Sequence, residues 1–151
     1  MNTDEHRWLR SGGERPAGKV FTTRLRARYA ETDATGIVYY NQYFVYLEVG
    51  RIEMFRELGL TYDRHLPIVE TGCRFHASAV FDDLLEVETF VEEVRSRGFR
   101  LGGRVFRVEN GEARTLLVEG FCAMVTVDDA VRPVPLPPAF RAAFGEPGED
   151  R

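Results

Sequence analysis

One segment restricts the possible folds more than any other: YFVYLEVGRIEMFREL, Tyr43 to Leu58. Asn41 stands where an N-cap is wanted, and Gly59 followed by Leu60 supplies a C-terminal stop with a hydrophobic contact. At 1.5 Å per residue this helix runs roughly 25 Å. Its apolar residues are not confined to one stripe. Phe44, Leu47 and Phe55 point one way and Val45, Val49 and Ile52 another, while Glu48, Arg51, Glu53, Arg56 and Glu57 leave a narrow polar flank. A helix that is apolar over most of its circumference has to be enclosed on most sides.

The rest of the chain is strand-like, so the enclosure must be a sheet. From Val20, residues Phe21, Thr23, Leu25, Ala27 and Tyr29 alternate with Thr22, Arg24, Arg26 and Arg28, the period of a half-buried strand. After TYDRHLP come four further candidates: IVETGCRFHASAVF, LLEVETFVEEV, GFRLGGRVFRV and EARTLLVEGFCAMVTV. The connections at Asp82-Asp83, Ser96-Arg97-Gly98 and Asn110-Gly111 are short, which points to an antiparallel meander. RPVPLPP ends the sheet, and PPAFRAAF reads as one short helix. The expected architecture is α+β: an antiparallel sheet of about five strands wrapped around one long central helix, the arrangement called the hotdog fold. One domain is expected over residues 19–144, with flexible tails over 1–18 and 145–151.

Composition excludes several classes. A net charge of −4 argues against a general nucleic-acid binder. Cys73 and Cys122 sit in apolar strand-like contexts without a spacing motif, as reduced core residues do. No apolar run approaches the roughly 18 residues of a membrane span, and the polar start lacks a signal-peptide core. A cytoplasmic protein with no membrane partner is expected.

The turn that feeds the helix carries the chemistry. RYAETDATGIVYYNQY, Arg28 to Tyr43, places Asp33 three residues before Gly36 and then an aromatic and amide cluster. With the helix, the Asp-Asp turn and the strands that follow, TDATGIVYYNQYFVYLEVGR resembles the signature of the 4-hydroxybenzoyl-CoA thioesterase group of hotdog proteins, over roughly Val20 to Phe144. The resemblance implies hydrolysis of an acyl- or aryl-CoA thioester, with Asp33 as nucleophile or general base and the Tyr40 backbone N–H polarising the thioester carbonyl. Gly36 shapes the loop, Tyr39 and Tyr43 line the acyl pocket, and Arg95, Arg97 and Arg100 on one hairpin hold the CoA phosphates. It also implies a homodimer or homotetramer, because hotdog subunits pair edge to edge, and no metal or other cofactor. The residues agree with this chemistry. A thioester needs a carboxylate or an activated water at its carbonyl carbon and donors aimed at the oxyanion. A helix N-terminus offers unpaired N–H groups and a positive dipole end, and glycine permits close approach. Two departures stand out: Tyr40 occupies a position where many bacterial members carry His, and Ser78 replaces a Pro common before the Asp-Asp turn.

Other features have structural readings. Asp82 and Asp83 lie at a turn, where Asp is common. Glu48, in the apolar part of the helix, either pairs with Arg51 or faces substrate, and the structural pair is the favoured reading. Gly102-Gly103 interrupt a strand and suggest a bulge or tight curvature. His6, His65 and His76 lack metal-ligand spacing, and no Gly-x-Ser-x-Gly elbow is present. A hotdog hydratase would need a His beside the carboxylate. A non-catalytic acyl-CoA or acyl-carrier binding module would need no Asp33, and a carrier-protein thioester is a further substrate class.

Overall fold

The computed structural model describes residues 18–148. The tail expected over 1–18, apart from Gly18 and including His6, lies outside the described residues, as do residues 149–151. The elements in chain order are β1 (Phe21–Arg26), a 3-10 turn (Tyr29–Glu31), α1 (Gln42–Leu58), β2 (Ile68–Phe75), β3 (Leu84–Arg95), β4 (Gly98–Val108), β5 (Arg114–Val125) and α2 (Pro138–Phe144). The five strands form one antiparallel sheet in the order β1-β3-β4-β5-β2, with α1 packed on its inner face. This is the hotdog arrangement.

The simple meander does not survive. β3–β4 and β4–β5 are hairpins as expected, but β2 pairs with β5 at one edge, and β3 pairs with β1 at the other. The apolar run that continues to Phe81 stops being strand at Phe75, where the N–H groups of His76 and Ala77 both donate to the Leu117 carbonyl. Three strand spacings, roughly 14 Å, separate β2 from β3. The eight residues between them reach about 26 Å when extended, so the link crosses instead of turning back. The alternation of β1 likewise ends at Ala27, and Tyr29, expected inside, is 77% exposed.

The sheet also fails to enclose α1. Tyr43, Tyr46, Leu47, Gly50, Arg51, Met54 and Phe55 are buried, a single stripe at helical spacing. Val45 is 46% exposed, and Phe44, Val49 and Ile52 are only half-buried. One twisted sheet covers one side of a helix, and the second apolar side that the sequence displays is left uncovered within the chain. Around the N-terminal half of α1 the core holds Tyr43, Tyr46 and Leu47 against Val87, Val105 and Val118; around its C-terminal half, Met54 and Phe55 meet Phe99, Met124, Leu136 and Phe140. Gly59 adopts a left-handed conformation (φ 69°) and Leu60 N–H donates to the Phe55 carbonyl, which ends the helix as expected.

Gly102 and Gly103 mark close packing, and the expected bulge lies elsewhere. Across the sheet, Phe90, Gly102, Phe121 and Gly72 are successive partners. The Phe90 ring lies over Gly102, where an added Cβ would come within 2.3 Å of it, and Phe121 lies over Gly72. Gly103, facing the other way, admits the Leu47 side chain of α1. The irregularities in β4 pairing fall at Val91/Glu93 and Val105/Phe106.

Candidate active site

Between the 3-10 turn and α1 the chain makes a small closed loop. Thr32 bridges Val38 and Ile37 bridges Val80, so both strands of the loop are tied down. Inside it, Asp33 N–H donates to the Ile37 carbonyl (2.8 Å) and Gly36 N–H to the Asp33 carbonyl (3.0 Å). Gly36 has φ +88°, a conformation that disfavours any side chain.

The Asp33 carboxylate is held by one oxygen. Oδ1 accepts from the Thr35 N–H (2.8 Å) and the Thr35 hydroxyl (2.6 Å). The backbone N–H groups of Ile37 and Gly36 also act on the carboxylate. The Thr35 hydroxyl, followed by the Thr35 N–H, holds the Asp33 pKa below the ordinary carboxylate value. The group is therefore ionised at neutral pH, oriented, and partly exposed.

The start of α1 lies at the other end of the same loop. Tyr39 N–H donates to the Glu31 carbonyl (2.8 Å) and Gln42 N–H to the Tyr39 carbonyl (2.9 Å), which fixes the entry to the helix. Tyr40 N–H has no acceptor among the described residues. Asn41 does occupy the N-cap position, but its backbone is helical and its side chain makes no capping bond. The helix N-terminus is thus open, with an unsatisfied donor and the positive dipole end exposed. Above it lie the rings of Tyr39 and Tyr40, 4.7 Å apart and largely exposed. The Tyr39 phenol is raised first by its hydrogen bond with Tyr40, and the charge of Asp33 adds to the shift, so phenol and carboxylate share one rim.

Of the residues singled out in the sequence, Asp33, Gly36, Tyr39 and Tyr40 come together. Tyr43 is 2% exposed: its hydroxyl accepts the Ala79 N–H (2.9 Å) and its ring packs edge-on against Tyr46 and Phe75, so it offers no free surface in this chain. Arg95, Arg97 and Arg100 sit at the far end of the sheet. The Asp33 loop packs beside the start of β3, and their hairpin closes its other end, roughly 36 Å away at 3.3 Å per residue. Arg97 is exposed, Arg95 pairs with Glu93 (3.1 Å), and Arg100 pairs with Glu92 (2.7 Å) while stacking on Phe121.

The remaining candidates resolve structurally. Asp83 Oδ2 accepts the Val80 N–H, and the Asp82 N–H and Asp83 carbonyl both bond Ala27, which closes β1 onto β3. The Glu48–Arg51 pair does not form: Glu48 points to solvent, and Arg51 is the buried member, its Nε without a partner among the described residues. His76 bonds Glu119 (3.0 Å) and His65 lies between Asp63 and Asp129. Both cysteines are free, with burial pushing the Cys73 thiol up to about 11. Sequence reasoning missed three residues: Thr35, whose position two after an Asp is a readable side-chain–backbone turn signal, and the buried pair Glu31 and Tyr46, which nothing local announces.

Comparison with known proteins places this chain in a family. The family model described as "Thioesterase superfamily" matches residues 35–114, a stretch that begins just after Asp33. The acyl-CoA thioester hydrolase YbgC of Escherichia coli O6:H1 is 31% identical over 132 residues, covering 83% of this chain and 96% of that protein. The solved 4-hydroxybenzoyl-CoA thioesterase of Pseudomonas sp. strain CBS-3 superposes with a TM-score of 0.74 at 25% identity, over 83% of this chain and 99% of its own. A Thermus thermophilus protein superposes with a TM-score of 0.71 at 36% identity, over 82% and 95%.

Proposed function

Since this chain belongs to the thioesterase superfamily, we propose that it hydrolyses acyl-CoA thioesters, with Asp33 as the reacting carboxylate and the Tyr40 N–H as oxyanion donor. One observation carries the reading: an ionised carboxylate clamped through Oδ1 shares a loop with an open helix N-terminus. Oδ2 supplies an electron pair either to the thioester carbon, giving a mixed anhydride that water then opens, or to a proton of the attacking water. In both routes the C–S bond breaks, CoA leaves as thiol, and the acyl group leaves as the acid. Negative charge develops on the carbonyl oxygen, where an N–H at a helix start stabilises it most. A non-catalytic binding module would have no use for an oriented carboxylate.

The names of the relatives support CoA esters, and the exposed Tyr39 and Tyr40 rings suit an aryl or compact acyl group. The exposed hairpin residues Arg95 and Arg97 are suited to the CoA phosphates. Within one chain they lie too far from Asp33, so phosphate contact belongs to the hairpin of a second subunit. That subunit has a place to dock. β2 is a free edge with Ile68, Val69 and Phe75 exposed, and a second apolar side of α1 is uncovered within the chain. A homodimer that joins the β2 edges and covers this side of α1 would remove both exposures, and a homotetramer of such dimers is the larger assembly.

Thiol release from acyl-CoAs running from acetyl through long-chain to benzoyl and phenylacetyl tests the reading. Wild type should turn over a subset, and Asp33→Asn should lose about 10²–10⁴-fold in rate with its fold intact. An Asp33→Asn variant as fast as wild type would remove Asp33 from the mechanism. Hydrolysis of carrier-protein thioesters alone would replace CoA as the substrate class.

A further inference from the structure

Glu31 is a carboxylate only 6% exposed, and among the described acidic residues only it and Glu119 are buried. Oε1 accepts the Arg28 N–H (2.7 Å) and the Tyr46 hydroxyl (2.9 Å), and Oε2 faces the Arg28 Nε (3.2 Å). Tyr46 is itself 1% exposed, one turn into α1 from Gln42 and packed edge-on against Tyr43. The main chain of Glu31 is engaged too, since its carbonyl receives the Tyr39 N–H. Residue 31 therefore holds α1 by its side chain at the second turn and the segment leading into α1 by its backbone, one residue before Tyr40. Thr32, which begins the Asp33 loop, follows directly.

A buried carboxylate is costly, and replacing such a pair by well-packed apolar residues is often neutral or stabilising. Stability alone gives little reason for the arrangement. What an apolar pair could not do is fix direction and distance, because dispersion contacts tolerate sliding and hydrogen bonds do not. Burial and the Glu31 charge both raise the Tyr46 phenol, which keeps it protonated as a donor throughout the neutral range.

We propose that Glu31 and Tyr46 act together as positioning residues, setting the separation between the Asp33 carboxylate and the Tyr40 N–H. This rests on the thioesterase reading above and assigns the pair no contact with substrate. Reaction needs both groups at one carbonyl at once, and a displacement of about 1 Å costs about 10²-fold in rate. Loosening the pair should therefore slow turnover without weakening the capture of CoA esters.

The test measures kcat, KM and melting temperature for wild type, Tyr46→Phe, Glu31→Gln, the double variant and Asp33→Asn, on the best CoA ester of the panel. Tyr46→Phe keeps the ring and its packing and removes only the hydroxyl. We expect kcat to fall roughly 10- to 100-fold in each single variant, with KM within about twofold of wild type. The double variant should be no slower than the worse single one, because two residues acting as a unit are not additive. A folded Tyr46→Phe with wild-type kcat overturns the proposal, and so does a rise in KM with kcat unchanged. Should Glu31→Gln fail to fold, Tyr46→Phe decides alone. Asp33→Asn separates the two readings: if it is as active as wild type, the assigned mechanism fails whatever the pair does. If it is inactive while Tyr46→Phe is unaffected, only the positioning role fails.

Discussion

At Asp33 one neighbour dominates both charge and aim, with the Ile37 and Gly36 N–H groups adding to the charge effect. Thr35 donates twice to Oδ1, and its hydroxyl is the largest cause of the lowered pKa. Activity that needs the carboxylate ionised should persist as pH falls, with its acid limb below the ordinary aspartate value near 3.9. Thr35→Val removes the hydroxyl and keeps the backbone donor, so the folded-state pKa rises and the acid limb moves to higher pH. A pH profile of kcat/KM for both proteins checks the direction; an unmoved limb would detach Thr35 from the titration. Asp33 was legible in the sequence because its spacing to Gly36 and the helix is local. Glu31 was not, since the same residue in the same turn is ordinary at the surface, and only the bond from Tyr46, fifteen positions on, ties it to α1.

At the scale of elements, α1 packs tightly against the sheet at Gly50. A Cβ there would fall 2.6 Å from both the Thr89 hydroxyl and a Val87 methyl group, and both neighbours are buried and branched at Cβ. Gly50→Ala gains about 1 kcal/mol of helix propensity, whereas overpacking a core contact costs about 1–3 kcal/mol. The second effect wins, and the variant should melt lower than wild type; an equal or higher melting temperature would show that α1 can lift from the sheet freely. Helix and strands were legible as elements because their periodicities are local properties of the chain. The pairing of β2 with β5 was not. A short connection suggests a hairpin, yet the His76 and Ala77 N–H groups bond Leu117 and divert the chain across the sheet.

For the whole molecule, the free β2 edge and the second apolar side of α1 predict an assembly. Val45 is 46% exposed at the centre of that side, so Val45→Arg should convert a sedimenting dimer or tetramer toward monomer while leaving the chain folded. Activity should fall with it, because the Arg95 and Arg97 hairpin of the same chain lies at the opposite end of the sheet from Asp33. A wild-type monomer with full activity would dismiss the assembly and the phosphate assignment together. Among the described residues no helix is long and apolar enough to cross a membrane.

The sequence by itself determined the elements, their α+β class and the loop carboxylate, because hydrophobic period, turn residues and Asp-to-Gly spacing are encoded within a few positions of one another. The tertiary structure decided the strand order, the one-sided burial of α1, the exchange of Glu48 for Arg51 as the buried charge, and the Glu31–Tyr46 bond. Each of these depends on which surfaces meet across long separations in the chain. Burial and hydrogen-bond partnership are properties of that meeting and of no single segment.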